Sequence, residues 1–154
     1  MNSGRLSRPA VLRDSPLNAQ RSDFWDGCLP PGSPAQDAPV LRDGTEPNWL
    51  LRHIGADGRF TLLLFGDHPD AVPDAGAEVA RVLVSREPWP SRPDLVVLHD
   101  HSGLAAQRYG APYGAAVLLR PDQHVCALFR SPARADIMGA LRQALGETVL
   151  ATAA

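Results

Sequence analysis

Cysteine is scarce in this sequence and lysine is absent. Only two of the 154 residues are cysteine, Cys28 and Cys126, and they stand far apart in the chain. This spacing favours two free thiols over a disulfide framework. All 15 basic residues are arginine, and against 17 acidic residues they leave a formal net charge of −2. With no block of like charge, the sequence predicts no nucleic-acid partner.

Long apolar runs and two common binding motifs are also missing. No stretch approaches the ~20 apolar residues that a membrane-spanning helix needs, and residues 1–20 lack the layout of a signal peptide. We therefore expect a cytoplasmic protein with no membrane partner. No Gly-x-Gly-x-x-Gly follows a predicted strand, and no Gly-x-Ser-x-Gly is present. The first absence argues against a dinucleotide site in this chain, and the second leaves a serine-hydrolase site without support.

Proline is concentrated in the first third of the chain. Residues 1–47 contain seven of the 15 prolines and show no helical or strand periodicity. Because proline fixes φ and removes a backbone donor, this stretch is predicted to be an extended arm. The aromatic pair Phe24 and Trp25 indicates that the arm lies against its own domain or a partner. We place the arm at 1–47 and a folded domain at 48–150.

After residue 48 the sequence alternates apolar runs with segments of helical spacing. The runs 60–65 and 95–98 are almost wholly apolar, as in strands that are covered on both faces. Helix-like spacing over 74–86 predicts a helix. Shorter patterns predict the other elements: a helix or strand at 48–54, a short helix at 102–109, a hairpin of 115–120 and 124–130, and a closing helix at 136–145.

The predicted order is therefore β-α-β-α-β-β-α. Right-handed crossovers between parallel strands place helices on both faces, and the hairpin adds antiparallel strands. The expected fold class is α/β, with a thioredoxin-like mixed sheet preceded by the Pro-rich arm.

The cysteines do not fit the catalytic position of that fold. A redox pair would directly follow the first buried strand, where a helix N-terminus lowers the pKa of a thiol. Here the segment Gly66–Asp70 contains no cysteine. Cys126 lies in a predicted strand, where a small core residue is expected, and Cys28 lies in the arm without an activating context. We expect no thiol–disulfide chemistry and assign no catalytic residue.

Histidine and aspartate follow the two buried strands. If these strands are parallel neighbours, their carboxyl ends meet at one edge of the sheet, where ligands of open α/β sheets bind. The candidate ligand edge consists of Asp67, His68, His99, His101 and Tyr113, with Asp100 beside them. It would hold a metal, an anion or a small molecule. The simpler interpretation is that loop residues cap helices here, Asp67 or Asp70 before one helix and His101-Ser102 before the next, so no metal ligand is assigned.

Trp89 stands between two prolines in Pro88-Trp89-Pro90. A tryptophan held in this way packs on the core or serves as an interface anchor. With Phe24 and Trp25 it forms our set of candidate interface residues.

Two resemblances add to this interpretation. Residues 59–146, with Tyr109-Gly110-Ala111-Pro112 before an apolar strand, resemble the thioredoxin superfamily at its approach to a cis-proline; whether Ala111–Pro112 is cis or trans stays open. An ordered set of segments resembles the C-terminal domain of single-component FAD-dependent aromatic-ring hydroxylases of the phenol, hydroxyphenylpropionate and pentachlorophenol type. These segments are Ser15-Pro16-Leu17-Asn18, residues 31–39, residues 60–66, Arg108-Tyr109-Gly110 and residues 116–122.

The second resemblance implies a structural module that is not catalytic alone. FAD would be held by a partner or parent enzyme, an aromatic monooxygenase, and none by this chain. The expected role is homodimerisation or docking to a flavoprotein monooxygenase, with the hairpin edge Val125–Arg130 as a second contact surface. The alternative is a thioredoxin-like oxidoreductase, or a small-molecule or metal binder that uses the edge at 67–68 and 99–101.

Overall fold

The computed structural model describes Asp23 and residues 25–146. Within these residues the chain forms seven strands, two α-helices and two short 3-10 turns. The strands are β1 (Pro39–Arg42), β2 (Glu46–Trp49), β3 (Phe60–Phe65), β4 (Val79–Ser85), β5 (Val96–His99), β6 (Ala116–Leu119) and β7 (Val125–Phe129). The helices are α1 (Leu104–Tyr109) and α2 (Arg134–Ala144), and the 3-10 turns are Leu50–His53 and Pro69–Ala71.

All seven strands join one mixed sheet in the order β2-β1-β5-β4-β3-β6-β7. Strands β3, β4 and β5 are parallel, and the other pairings are antiparallel. The expected α/β class and the mixed sheet are both confirmed.

The sheet separates two apolar cores, and β3 contributes to both. Leu62 and Leu64 face one core with α2, whereas Leu63 and Phe65 face the other with α1. Successive side chains of a strand point to opposite faces, so a strand covered on both sides is apolar throughout. This explains the uninterrupted apolar run, and it confirms the prediction of helices on both faces.

The predicted helix over 74–86 is wrong, because the chain forms β4 there. Val79, Val82, Leu83 and Val84 are all buried, two in each core. A central strand buried on both faces loses its alternation, and its apolar residues then imitate helical spacing. Between β3 and β4 the chain makes only the 3-10 turn Pro69–Ala71. Strand β4 also separates β3 from β5, so these two are parallel but not neighbours.

A proline-rich segment covers the free edge of β7. We call Asp23 with residues 25–35 the strap. Its backbone donates from Asp23 N to Leu128 O at 2.9 Å and from Gly32 N to Val125 O at 2.7 Å, and Val125 N donates to Ser33 O at 2.8 Å. The hairpin edge that we expected to be a contact surface is therefore already paired along the strap. An unpaired edge invites association with another chain, so the strap protects it.

The sheet begins before the expected boundary at residue 48. Strand β1 lies wholly within the proline-rich range, and β2 spans its end. The prolines fit because Pro39 is the first residue of β1 and Pro47 lies in the edge strand β2, positions where a missing N–H leaves no gap in the ladder.

The hairpin and both helices at 102–109 and 136–145 form as predicted, each within a few residues. The described peptide bonds are all trans, including Ala111–Pro112. Neither helix in this part of the chain has the length and apolar character needed to cross a membrane.

Candidate functional site

The carboxyl ends of β3, β4 and β5 lie side by side at one edge of the sheet, which we call the carboxyl edge. Because β4 is a strand, its end brings Arg86 to this edge, between Asp67 after β3 and His99 at the end of β5. Arg86 is the residue that our sequence interpretation missed.

Arg86 and Asp67 form a forked ion pair. The Arg86 Nε donates to both carboxylate oxygens of Asp67, at 3.0 and 3.1 Å, and Nη2 donates to Oδ2. Such bidentate pairs fix geometry as well as charge. Hydrogen bonds from Arg86 hold the pKa of Asp67 below its usual range, and Asp67 raises the pKa of Arg86. The arginine head is therefore held at the start of the loop that follows β3.

Tyr113 completes this group. The guanidinium carbon of Arg86 lies 5.1 Å from the centroid of the Tyr113 ring, which is a cation–π contact. Tyr113 is 65% exposed, an unusual state for a large aromatic side chain. The structure thus brings together two of the predicted edge residues, Asp67 and Tyr113, through an arginine between them.

A cleft of about 130 Å³ opens beside this group. The buried side chains of Phe65 in β3 and Val84 in β4 form its floor, and the exposed Arg86 and Tyr113 stand at its rim. The lining residues are Phe65, Gly66, Asp67, Val84, Arg86, Asp100, Ala106, Ala111 and Tyr113.

Asp100 follows the capping interpretation. Its Oδ1 accepts from Ala105 N and its Oδ2 from Ala106 N, both at 3.0 Å. These amides belong to the first turn of α1, whose N–H groups have no partner within the helix. The carboxylate is buried, and it also lines the cleft. We had expected His101 and Ser102 to cap this helix, but only the Ser102 hydroxyl approaches it, at 3.4 Å from Leu104 N.

The histidines do not converge on one point. His68 accepts a hydrogen bond from Asp70 N at Nδ1, and its ring packs edge-on against Trp89 with centroids 4.8 Å apart. The His99 Nε2 lies 3.0 Å from Arg86 O, and its ring centroid is 6.2 Å from that of His101. Among the residues that the structure describes, no three His, Cys, Asp or Glu side chains are arranged to hold a metal ion.

Two of the three candidate interface residues contact their own domain. Trp25 is buried and donates from Nε1 to Tyr109 O at 3.3 Å. Trp89 is partly buried and donates to Asp67 O at 2.7 Å, so it supports the loop that carries the ion pair. Phe24 lies outside the described residues. Trp25 is therefore not an exposed anchor.

Neither cysteine is among the residues that line the cleft. Cys126 is buried in β7, as expected, and Cys28 is a partly buried residue of the strap; neither forms a disulfide. A second, more open depression of about 580 Å³ adjoins the cleft at Ala111. Its lining residues are Trp25, Asp26, Gly110, Ala111, Pro112 and Arg130.

No protein-family model matches this chain, and no curated protein matches it either. Solved structures do. The flavin-dependent monooxygenase PieE, in complex with FAD and substrate, is 24% identical with a TM-score of 0.57, over 83% of this chain and 23% of PieE. Aklavinone-11 hydroxylase, in a ternary complex with FAD and aklavinone, is 26% identical with a TM-score of 0.54, over 75% of this chain and 21% of the hydroxylase.

A thioredoxin domain is similar along nearly its whole length. The thioredoxin domain of a thiol–disulfide oxidoreductase from Bacteroides vulgatus is 14% identical with a TM-score of 0.50, over 75% of this chain and 97% of that domain. The chain thus has a thioredoxin-like fold, and it spans less than a quarter of the length of the two flavin enzymes.

Proposed function

We propose that this chain is a non-catalytic thioredoxin-like module that docks to a flavin-dependent aromatic monooxygenase. The observation that carries the proposal is the 26% identity with a stretch of aklavinone-11 hydroxylase, a protein solved with FAD and aklavinone. FAD is held by the monooxygenase in this proposal. The cytoplasm is the proposed compartment, in keeping with two cysteines that form no disulfide.

The loop between β3 and β4 supports the non-catalytic part of the proposal. Residues 66–78 contain no cysteine and form no α-helix. Both the thiol and the helix N-terminus that would lower its pKa are therefore missing from this loop. The Asp67–Arg86 pair occupies the start of this loop.

Exposure and shape favour the carboxyl edge as the docking surface of this proposal. Tyr113 is the most exposed large hydrophobic side chain of the described residues, and it stands beside the open depression that Pro112 and Arg130 help to line. Tyrosine and arginine are enriched in protein interfaces. The strap already pairs with the β7 edge, so that edge is less available to a partner. We therefore prefer the carboxyl edge to the β7 edge as the docking surface.

The test combines the full chain with a truncated flavin enzyme. Aklavinone-11 hydroxylase is expressed without the segment that aligns with this chain, alone and together with it. We expect co-purification and a higher FAD content per hydroxylase when the chain is present. Absence of both would overturn the docking proposal. The chain purified alone should be colourless, and flavin absorbance from it would contradict the assignment of FAD to the partner.

A matched pair of variants locates the surface. Tyr113→Ser should weaken co-purification about tenfold or more, as removal of a central aromatic anchor does. Trp49→Ser is the control, because Trp49 is also exposed, at 46%, but lies on β2, four strands away from β3. An equal effect of both variants would argue against the carboxyl edge.

Two further measurements address the alternatives. If the module acts by homodimerisation instead, sedimentation equilibrium of the chain alone should show a dimer that Tyr113→Ser dissociates. If it is a thiol oxidoreductase, it should reduce insulin in the presence of dithiothreitol, and Cys28→Ser should remove that activity. We expect no such turnover.

A further inference from the structure

We propose that the cleft beside Arg86 is a binding site for a small uncharged ring that carries a hydroxyl group, with phenol as the probe. The cleft shares Tyr113 with the proposed docking surface, but the argument for it does not rest on the docking proposal. Its volume, about 130 Å³, is close to that of an engineered 150 Å³ cavity that accepts benzene. A single six-membered ring therefore fits.

The walls of the cleft suit an aromatic ring. Phe65 and Val84 are buried at its floor, and the small side chains of Ala106 and Ala111 leave the space open. Small-molecule sites combine such apolar walls with a few placed polar groups. Here Tyr113 supplies an aromatic face at the rim, where it has 65% of its surface exposed and available for contact.

The charges of the lining select against an anion. The cleft contains two carboxylates, Asp67 and Asp100, and one guanidinium, Arg86. Because Asp67 already occupies the fork of Arg86, a bound carboxylate would meet a negative surface and would have to displace this partner. A neutral ligand leaves the ion pair intact.

Asp100 and Arg86 are alternative hydrogen-bond partners for the hydroxyl group of the ligand. Each oxygen of Asp100 accepts one backbone N–H, whereas a carboxylate offers about four acceptor positions, so one of its remaining positions takes the hydroxyl proton. At the rim, the hydroxyl oxygen of a ligand turned the other way would accept from the Arg86 guanidinium. In both orientations the ring stays against the apolar walls.

The experiment is a titration of the full chain followed by amide chemical shifts in ¹H–¹⁵N spectra. Phenol should give saturable shifts confined to the amides of Gly66, Ala106, Ala111 and their neighbours, with a Kd on the order of 1 mM, as expected for so small a ligand. Toluene, which lacks the hydroxyl, should bind about tenfold more weakly, and benzoate weaker still. Phenol shifts that do not saturate, or that spread over the surface, would overturn the proposal.

Variants distinguish binding in the cleft from nonspecific binding to the surface. Ala106→Leu fills the cleft and should abolish the phenol shifts, and Arg86→Gln should weaken phenol about threefold to tenfold by loosening the rim. Arg92→Gln is the matched control, because Arg92 forms a similar exposed pair with Asp70, at 2.8 Å, outside the lining. Should Ala106→Leu fail to fold, the phenol affinities of Arg86→Gln and Arg92→Gln still test the proposal. Equal affinities in these two variants would contradict the site. Docking to the flavin enzyme should survive Ala106→Leu, so the two proposals fail separately.

Discussion

Gly110 lies directly against the backbone of Gly27: a Cβ on Gly110 would stand 2.4 Å from the Gly27 carbonyl oxygen. Gly110 is also in the left-handed region, with φ of +59°, where it ends α1. One glycine therefore terminates the helix and lets the strap approach it closely. The edge of β7 is covered by a segment that depends on this contact.

Gly110→Ala should accordingly destabilise the chain by about 2 to 4 kcal/mol, because it adds a clash with backbone to the cost of a positive φ. Gly103 is a matched control at the other end of α1. It has φ of +74°, but nothing lies within 4 Å of its added Cβ, so Gly103→Ala should cost only about 1 kcal/mol. Urea unfolding measures both. Equal losses would show that the Gly27 contact does not matter.

Tyr109 holds a second part of the N-terminal region in place. Its buried hydroxyl donates to Gln36 O at 2.7 Å and accepts from Gln36 N at 3.0 Å, and burial raises the pKa of the phenol above its usual range. Tyr109→Phe leaves both backbone groups of Gln36 without this partner and should cost about 1 to 3 kcal/mol. Tyr113→Phe, at an exposed ring, should change stability by less than about 0.5 kcal/mol. A neutral Tyr109→Phe would contradict this role.

The sequence predicted the parts of the fold that local patterns specify. The buried strand Phe60–Phe65 was evident from its apolar run, and the hairpin from Pro121 between two apolar segments. Strand β4 was not predictable in the same way, because burial on both faces removed the alternation that distinguishes a strand from a helix. The path of the strap depends on long-range pairing with β7, which no local pattern records.

The same error decided what was missed at the site. Asp67 and Tyr113 were predicted from their places after β3 and before β6. Arg86 was missed because the end of a helix, unlike the end of a parallel strand, would not have reached the carboxyl edge. The sequence did indicate a strand here, because Arg86 directly follows a valine-rich segment, residues 79–85, and valine is common in strands. The separation of the histidines was a matter of side-chain partners, which sequence position does not specify.

Asp100 should contribute to stability as the cap of α1. Asp100→Ala removes a buried carboxylate that accepts two backbone N–H groups, and we expect a loss of about 1 to 3 kcal/mol. Ser102→Ala is the control, because its exposed hydroxyl makes only a 3.4 Å contact and should matter by less than about 0.5 kcal/mol. Thermal unfolding of the two variants compares these costs. A larger effect of Ser102→Ala would assign the cap to the residue that we first expected.

His53 should make stability depend on pH just below neutrality. It lies in the 3-10 turn after β2, its Nε2 is buried without a hydrogen-bond partner among the described residues, and burial followed by the nearby Arg42 lowers the pKa of the ring from 6.5. The unfolded chain therefore binds this proton more readily than the folded chain. Its contribution to the free energy of unfolding is present above pH 6.5 and declines as the pH falls below that value.

Urea unfolding between pH 8 and pH 5 tests this dependence, and His53→Gln should flatten the decline below pH 6.5. Asp43 and Asp67 do not interfere in this window, because hydrogen bonds hold their pKa values below 3.8 and their contributions are lost only at more acidic pH. The comparison of wild type with His53→Gln cancels the other histidines, which both proteins share. Parallel pH profiles for the two proteins would show that His53 meets the same environment in the folded and unfolded chain.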